Sequence, residues 1–87
     1  MNGMMKQLVN LKINSLNTQE LIQLGRKYGL ILKQQEARQI TSLIKQRKVN
    51  IFDDSERKQL LRKIAEATTP QLAREIEVLF SKFTSKK

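Results

Sequence analysis

The chain of 87 residues contains no cysteine, no histidine and no tryptophan. Without cysteine it has neither a disulfide framework nor a thiolate metal site, which is typical of a reduced intracellular protein. Without histidine it lacks the usual general base at neutral pH and the commonest zinc ligand. We therefore expect no enzyme activity, no cofactor and no metal site, and we expect a cytoplasmic location.

Glycine and proline are scarce, with three and one in the whole chain. A β protein of this size needs more turn residues, and alternation of apolar and polar residues is nowhere sustained. No apolar run approaches the ~18 residues of a membrane span, and the stretch MNGMMKQLVNLKIN lacks the order of a signal peptide. We predict one helical domain over residues 1–87, with residues 1–3 frayed and residues 84–87 a disordered tail.

Apolar residues recur at helical spacing in five segments, which predicts an all-α fold, a compact orthogonal bundle of about five short helices. The first helix is expected over about residues 2–14 and the third over about residues 33–48. A short extended piece at residues 30–32 precedes the third helix. The predicted core consists of Leu8, Leu21, Leu24, Tyr28, Ile40, Ile44, Ile51, Leu60, Ile64, Leu72, Ile76, Leu79 and Phe80.

Capping residues mark the starts of the other three helices. Asn17 and Glu20 have the spacing of a capping box, in which each side chain accepts a hydrogen bond from the backbone N–H of the other residue. Asp53 and Glu56 repeat that spacing. Thr69 stands directly before a proline suited to the first helical position. These signals predict helices that begin just after residues 17, 53 and 69.

Two of the three glycines have predicted roles in the second helix. Gly29 follows the helix and suits the left-handed residue that ends many helices. Gly25 lies within the apolar stripe, where glycine costs about 1 kcal/mol relative to alanine and needs a packing reason. We expect Gly25 to allow the close approach of another helix.

Asp53 and Asp54 are adjacent carboxylates in a basic chain, and a metal site or an acid–base pair is the alternative to a helix cap. A calcium loop needs oxygen ligands at alternating positions and a glycine at its turn, and DDSERKQLLRKI has neither. Adjacent residues at a helix start also point in different directions, so the two carboxylates do not converge. We therefore interpret Asp53 as a cap.

Two stretches carry a resemblance to a known family: NTQELIQLGRKYGLILKQQEARQI and VNIFDDSERKQLLRKIAEATTPQLAREIEVLF. They resemble a family of short uncharacterised proteins of Gram-positive bacteria, which is catalogued as a domain of unknown function. The similarity covers nearly the whole chain, and NIFDDSER and TTPQLA are its most recognisable parts. Lys33 departs from the pattern, since a hydroxyl residue is expected to cap the third helix there. The resemblance implies an all-helical cytoplasmic protein and supplies no activity and no functional residues.

Positive charge is the functional lead in the sequence. Seventeen Lys and Arg stand against eight Asp and Glu, a net charge of +9, and residues 30–50 hold five basic residues against Glu36 alone. The outward stripe of the third helix contains no acid, so it can lie along a phosphate backbone. We predict sequence-nonspecific binding to nucleic acid or another polyanion; the competing interpretation is a charged surface that only keeps the domain soluble. The predicted contacts are Lys33, Arg38, Lys45, Arg47 and Lys48, with Arg62 and Lys63 from the fourth helix.

Two known modes of nucleic-acid reading fit the sequence poorly. A helix–turn–helix needs a tight turn after Gly29, but two positions that should then be apolar fall on Gln35 and Arg38. A longer helix–extended–helix connection is predicted instead. The aromatic residues of the second and fifth helices are expected to face inward, which leaves no platform for stacking bases.

The alternative function is a protein–protein interaction adaptor that uses an apolar groove between helices. The methionine-rich first helix would either cover that groove or leave it. A membrane-surface role for the same helix has less support, because Lys6 and Lys12 make a thin basic face. The sequence does not define an oligomeric state.

Overall fold

The structure is a computed structural model that describes residues 3–84, and this part of the chain contains no β-strand. The prediction of a single all-α bundle is confirmed. Helices α1 and α5 include Gly3 and Thr84, while the predicted fraying of residues 1–2 and the tail at residues 85–87 lie outside the described residues. The helices are α1 (Gly3–Ser15), α2 (Thr18–Lys27), α3 (Gln34–Arg47), α4 (Asp54–Ala67) and α5 (Pro70–Thr84).

Helix α3 is central to the packing. It contacts α1, α2 and α4, and α5 packs on α4. The core side chains of α3 are Ala37, Ile40 and Ile44, which recur every three or four residues and so face one way. The opposite side of α3 is exposed to solvent and carries polar side chains. Any surface function of α3 therefore depends also on the side chains that the neighbouring helices contribute.

Ten of the thirteen predicted core residues are buried, and Leu24 is half-buried. The prediction is wrong for Leu8 and Tyr28, whose exposed fractions are 54% and 41%. Leu8 lies on the outer side of α1, and Tyr28 follows the last residue of α2, where its ring packs edge-on against Phe83 with the centroids 5.8 Å apart. Five buried residues outside the predicted core come from the end of α1 and from connections: Ile13, Leu16, Leu30, Leu32 and Val49.

Two asparagines of α1 hold this helix against the connection between α3 and α4. The Asn14 side chain accepts a hydrogen bond from the Val49 N–H and donates one to the Val49 carbonyl, both at 2.8 Å. The Asn10 side chain accepts from the Ile51 N–H at 3.0 Å and donates to the Asn50 side chain at 2.8 Å. Amide groups thus satisfy backbone groups that have no helix or sheet partner.

The capping box of α2 is confirmed. The Glu20 N–H donates to Asn17 Oδ1 at 2.8 Å, and the Asn17 N–H donates to Glu20 Oε1 at 3.0 Å. The predicted start of α5 is confirmed too, since the Leu72 N–H donates to Thr69 Oγ1 at 3.0 Å. Both caps are recognisable from the sequence because donor and acceptor lie three residues apart.

At the starts of α3 and α4, only one of the two hydrogen bonds of a capping box is formed. Asp53 Oδ1 accepts from the Glu56 N–H at 2.9 Å, as predicted for a cap, but Glu56 Oε1 accepts from the Asn50 N–H at 2.9 Å rather than from Asp53. At α3, Glu36 Oε1 accepts from the N–H of Lys33 at 2.9 Å, and the Lys33 side chain makes no capping hydrogen bond. One carboxylate therefore starts α3 without a hydroxyl cap.

Gly25 allows a close approach, but the neighbour is the following connection and not another helix, which corrects the prediction. A Cβ atom at Gly25 would lie 3.0 Å from the Leu30 carbonyl oxygen and 3.4 Å from Leu32 Cδ1. The Leu30 N–H also donates to the Gly25 carbonyl at 2.8 Å. Gly29 has φ +87°, as predicted for the residue that ends α2. Ile31 is exposed between two buried leucines, as in an extended segment.

Lys48, at the end of α3, has φ +47°, a left-handed conformation that costs a residue with a Cβ atom about 1–2 kcal/mol. We expect Lys48→Gly to stabilise the protein by about 0.5–1 kcal/mol, because glycine removes that cost and loses part of the gain to its greater freedom when unfolded. Urea denaturation measures the change. Lys48→Ala is the control, since it removes the charge and keeps the strain; equal stability of the two variants would contradict the prediction.

Candidate nucleic-acid interface

Arg38 and Lys45 lie in one shallow recess of about 420 Å³ at the side of α3 that faces α2. Their positions are seven apart, which is two helical turns, so both side chains leave α3 on the same side about 10 Å apart along its axis. Both are exposed. We name this surface the α2-side recess, and its other lining residues are Thr18, Thr41, Ser42 and Gln46.

Arg47 and Lys63 lie together in a second, smaller recess of about 140 Å³ between α3 and α4. The carboxylate of Glu56 lines the same recess and accepts a hydrogen bond from the Asn50 N–H. An anion bound there would therefore meet one carboxylate as well as two cations. We name this surface the α4-side recess; the floor is apolar and includes Leu43.

The structure arranges four of the seven predicted contacts as two pairs on different sides of α3. Lys33 and Lys48 stand at the two ends of α3, directly before and after the helix. Arg62 is exposed on α4 and lines neither recess. The predicted residues thus lie around α3 rather than along one stripe, because neighbouring helices divide its surface.

Glu20 of α2 brings negative charge close to the α2-side recess. The Asn17 backbone N–H bound to its carboxylate and the nearby Lys12 ammonium, with a smaller effect of Lys45, lower the pKa of the Glu20 carboxyl from its ordinary value. The outward stripe of α3 contains no acid, as predicted from the sequence. The surface that α2 and α3 form together does contain one, because α2 contributes Glu20. Lys45 therefore has a partial counter-charge, whereas Arg38 is not among the groups that lower this pKa.

The two ion pairs between residues 3 and 84 include none of the seven predicted contacts. They join Lys12 to Glu20 at 3.7 Å and Arg57 to Asp54 at 2.6 Å. Several other carboxylates are engaged with backbone N–H groups at helix starts, as described above. Four of the eight acids thus accept backbone N–H groups at helix starts, and the seventeen basic residues remain in excess.

Asp53 and Asp54 have separate structural roles. Asp53 caps α4, and the Asp54 carboxylate binds the Arg57 guanidinium, which also donates to the Ile51 carbonyl at 2.9 Å. Within the described part of the chain, no three acidic side chains lie close enough together to hold a metal ion. The arrangement fits the interpretation of Asp53 as a cap.

An apolar groove of about 460 Å³ lies between α1, α2 and α5. Its polar rim includes Lys12 and Lys27, with Glu20 and Gln23. Near its Phe83 wall, the Tyr28 and Phe83 rings make a T-shaped contact, with an angle of 78° between their planes. The apolar groove is lined by Leu8, Val9, Ile13, Leu16, Leu24 and Phe83.

The fold and its surfaces define a small basic all-α domain, and none of the helices within residues 3–84 is both long enough and apolar enough to cross a membrane. The chain belongs to a family of proteins of unknown function, DUF2624, whose model matches residues 1–84. The predicted resemblance is thereby confirmed. The chain is similar to the uncharacterized protein YqfT of Bacillus subtilis (strain 168), with 29% identity over 80 residues that cover 92% of this chain and 95% of that protein. No solved structure matches it.

Proposed function

We propose that this protein is a small cytoplasmic binding module that contacts the phosphates of nucleic acid without reading their sequence. The observation that supports the proposal is the α2-side recess, where Arg38 and Lys45 are exposed and outside ion pairs. Guanidinium and ammonium groups bind phosphate oxygens, and the hydroxyls of Thr18 and Ser42 in the same recess can donate further hydrogen bonds. Arg38 and Lys45 would reach separate phosphates, since two helical turns divide them.

Phosphate contacts position a protein on nucleic acid and carry no sequence information. Base stacking would need an open aromatic face beside the bound phosphates, but no aromatic residue of the described part of the chain lines the α2-side recess. The surface that supports the proposal is therefore electrostatic. Binding of this kind weakens as salt rises, because each neutralised phosphate releases counterions.

Reversing the charges of the α2-side recess is expected to weaken binding to duplex DNA and to structured RNA. For Arg38→Glu/Lys45→Glu we expect about tenfold or more weaker binding at low salt. We also expect a log–log salt slope reduced in magnitude by about 0.9 for each phosphate that the variant no longer neutralises. Fluorescence anisotropy titrations with labelled DNA and RNA at several salt concentrations measure both quantities. Circular dichroism checks that the variant keeps its helices, as expected for two exposed positions.

The matched control is Arg74→Glu/Lys82→Glu. These residues are exposed on α5, they are also one Arg and one Lys, and their reversal changes the net charge by the same amount. If attraction to a basic protein in general causes binding, both double variants will lose affinity equally, and the proposal for the α2-side recess is then wrong. No binding by the unmodified protein at low salt would also contradict it.

The second candidate function is the adaptor, and the apolar groove between α1, α2 and α5 supports it. The lining is mostly apolar and the rim is polar, which is the usual composition of a site for an apolar helix face. This groove does not include the residues of the α2-side recess. The two candidate functions therefore use different surfaces, and substitutions can test them separately.

A further inference from the structure

The outer side of α1 is apolar. Met4, Leu8 and Leu11 have exposed fractions of 72%, 54% and 67%. Their spacing of four and three residues places them in one row along the helix. The bundle side of α1 is instead fixed by Asn10 and Asn14, whose side chains bind the α3–α4 connection. The outer stripe, as we name Met4, Leu8 and Leu11, thus faces solvent, although Ile13 of the same helix is buried in the core.

The outer stripe and the apolar groove are parts of one surface. Leu8 belongs to both, and the groove continues from it to Leu24 of α2 and Phe83 of α5. A raised row of apolar side chains therefore stands directly beside an apolar depression. A ridge next to a groove can be complementary to a second copy of itself, since a twofold axis places the ridge of each copy against the groove of the other.

We propose that the outer stripe is an interface between two copies of this chain, related by a twofold axis, with their α1 helices antiparallel. In this arrangement Leu8, which belongs to both the stripe and the groove, lies close to the axis, and Met4 and Leu11 of each copy pack against the apolar groove of the other. The stripe contains no charged residue. Lys12 at its edge is paired with Glu20 of its own chain at 3.7 Å, so the pairing brings no unpaired cation into the centre of the interface.

The area available fits a weak dimer. The exposed parts of the three stripe residues amount to roughly 400 Å² per copy, or roughly 800 Å² for a pair, and the groove walls bring the total near the ~1,000 Å² expected of a specific interface. We expect a dissociation constant of roughly 10–100 µM. Because each copy carries a net charge of +9, salt should strengthen the association by screening repulsion.

Sedimentation equilibrium at low and high salt, over protein concentrations on either side of that dissociation constant, tests the proposal. The average mass of the unmodified protein should rise from monomer to dimer, at lower concentrations when salt is high. Leu11→Glu should weaken the dimer by at least about tenfold, because it buries a carboxylate in an apolar contact. The control is Val78→Glu on α5, where the same change is made at an apolar residue of similar exposure, 57%.

A monomer at every concentration and at both salts would overturn the proposal, even if the stripe then bound an apolar helix of another protein. Equal dimerisation of Leu11→Glu and the unmodified protein would overturn it as well, as would equal losses in Leu11→Glu and Val78→Glu. Leu8→Gln, a milder change near the axis, provides a second test if Leu11→Glu loses helical signal. Nucleic-acid binding should survive Leu11→Glu, and the opposite salt responses keep this proposal separate from the proposed function.

Discussion

Replacing Asn14 with alanine is expected to destabilise the protein by about 2–4 kcal/mol, because it leaves two backbone groups of a buried residue without partners. The Asn14 side chain binds both the N–H and the carbonyl of Val49 at 2.8 Å, and its amide also donates to the Asn10 carbonyl. Val49 is buried, so water cannot readily take the place of the missing amide. Domains of this kind are stable by about 5–15 kcal/mol in total, so the loss is large.

Urea denaturation followed by circular dichroism measures this change, and Gln7→Ala is the control. Gln7 is an amide side chain on the same helix but exposed, and its replacement should change the free energy of unfolding by less than about 0.5 kcal/mol. Asn14→Asp separates the two hydrogen bonds, since a carboxylate still accepts from the Val49 N–H but cannot donate to the carbonyl. We expect it to be destabilising at pH 7. Equal stabilities for Asn14→Ala and Gln7→Ala would show that the pair with Val49 contributes nothing.

The helix starts could be predicted from the sequence because their hydrogen bonds are local. Asn17 and Glu20 are three residues apart and meet whatever the rest of the fold does. The exception is Glu56, which binds the Asn50 N–H because the chain before α4 turns back toward it. A capping pattern therefore predicts where a helix begins, whereas the partner of its carboxylate depends on the preceding connection.

The orientation of α1 could not be predicted from apolar spacing. The usual rule places the apolar side of a helix inward, which put Leu8 in the predicted core. The side that faces the bundle carries the buried Ile13 together with Asn10 and Asn14, whose side chains bind residues 35 to 41 positions further along the chain. The sequence signal for this orientation is a pair of asparagines four residues apart. Such a pair is ordinary on a solvent face, and only the position of the α3–α4 connection gives it a structural role.

For the candidate interface, the sequence predicted which basic side chains are exposed, but it did not predict which of them lie together. The seven predicted contacts are polar residues outside the apolar stripes, and six of them are exposed, with Lys63 half-buried. Their division into two recesses depends on α2 and α4, which pack on opposite flanks of α3 and bring Glu20 and Glu56 with them. Contacts between helices determine the local charge balance, and these contacts cannot be deduced from the composition of a single helix.

Replacing Gly25 with valine is expected to destabilise the protein by about 3 kcal/mol, because the new side chain would overlap the connection between α2 and α3. Even a Cβ atom would stand 3.0 Å from the Leu30 carbonyl oxygen, which is backbone and cannot turn away as a side chain can. Gly25→Ala is a milder substitution at the same position, because it adds only the Cβ atom. Alanine favours the helix by about 1 kcal/mol, and this gain offsets part of the crowding, so its effect should be small.

Gln23→Val is the matched control for Gly25→Val, since it places the same β-branched residue at an exposed position of α2. Denaturation should show a loss of less than about 1 kcal/mol for it. Hydrogen exchange adds a local measurement: the Leu30 N–H, which donates to the Gly25 carbonyl at 2.8 Å, should lose protection in Gly25→Val and keep it in Gln23→Val. If Gly25→Val were as stable as Gln23→Val, the connection would be able to move away from α2, and Leu30 and Leu32 would not need a glycine beneath them to remain buried.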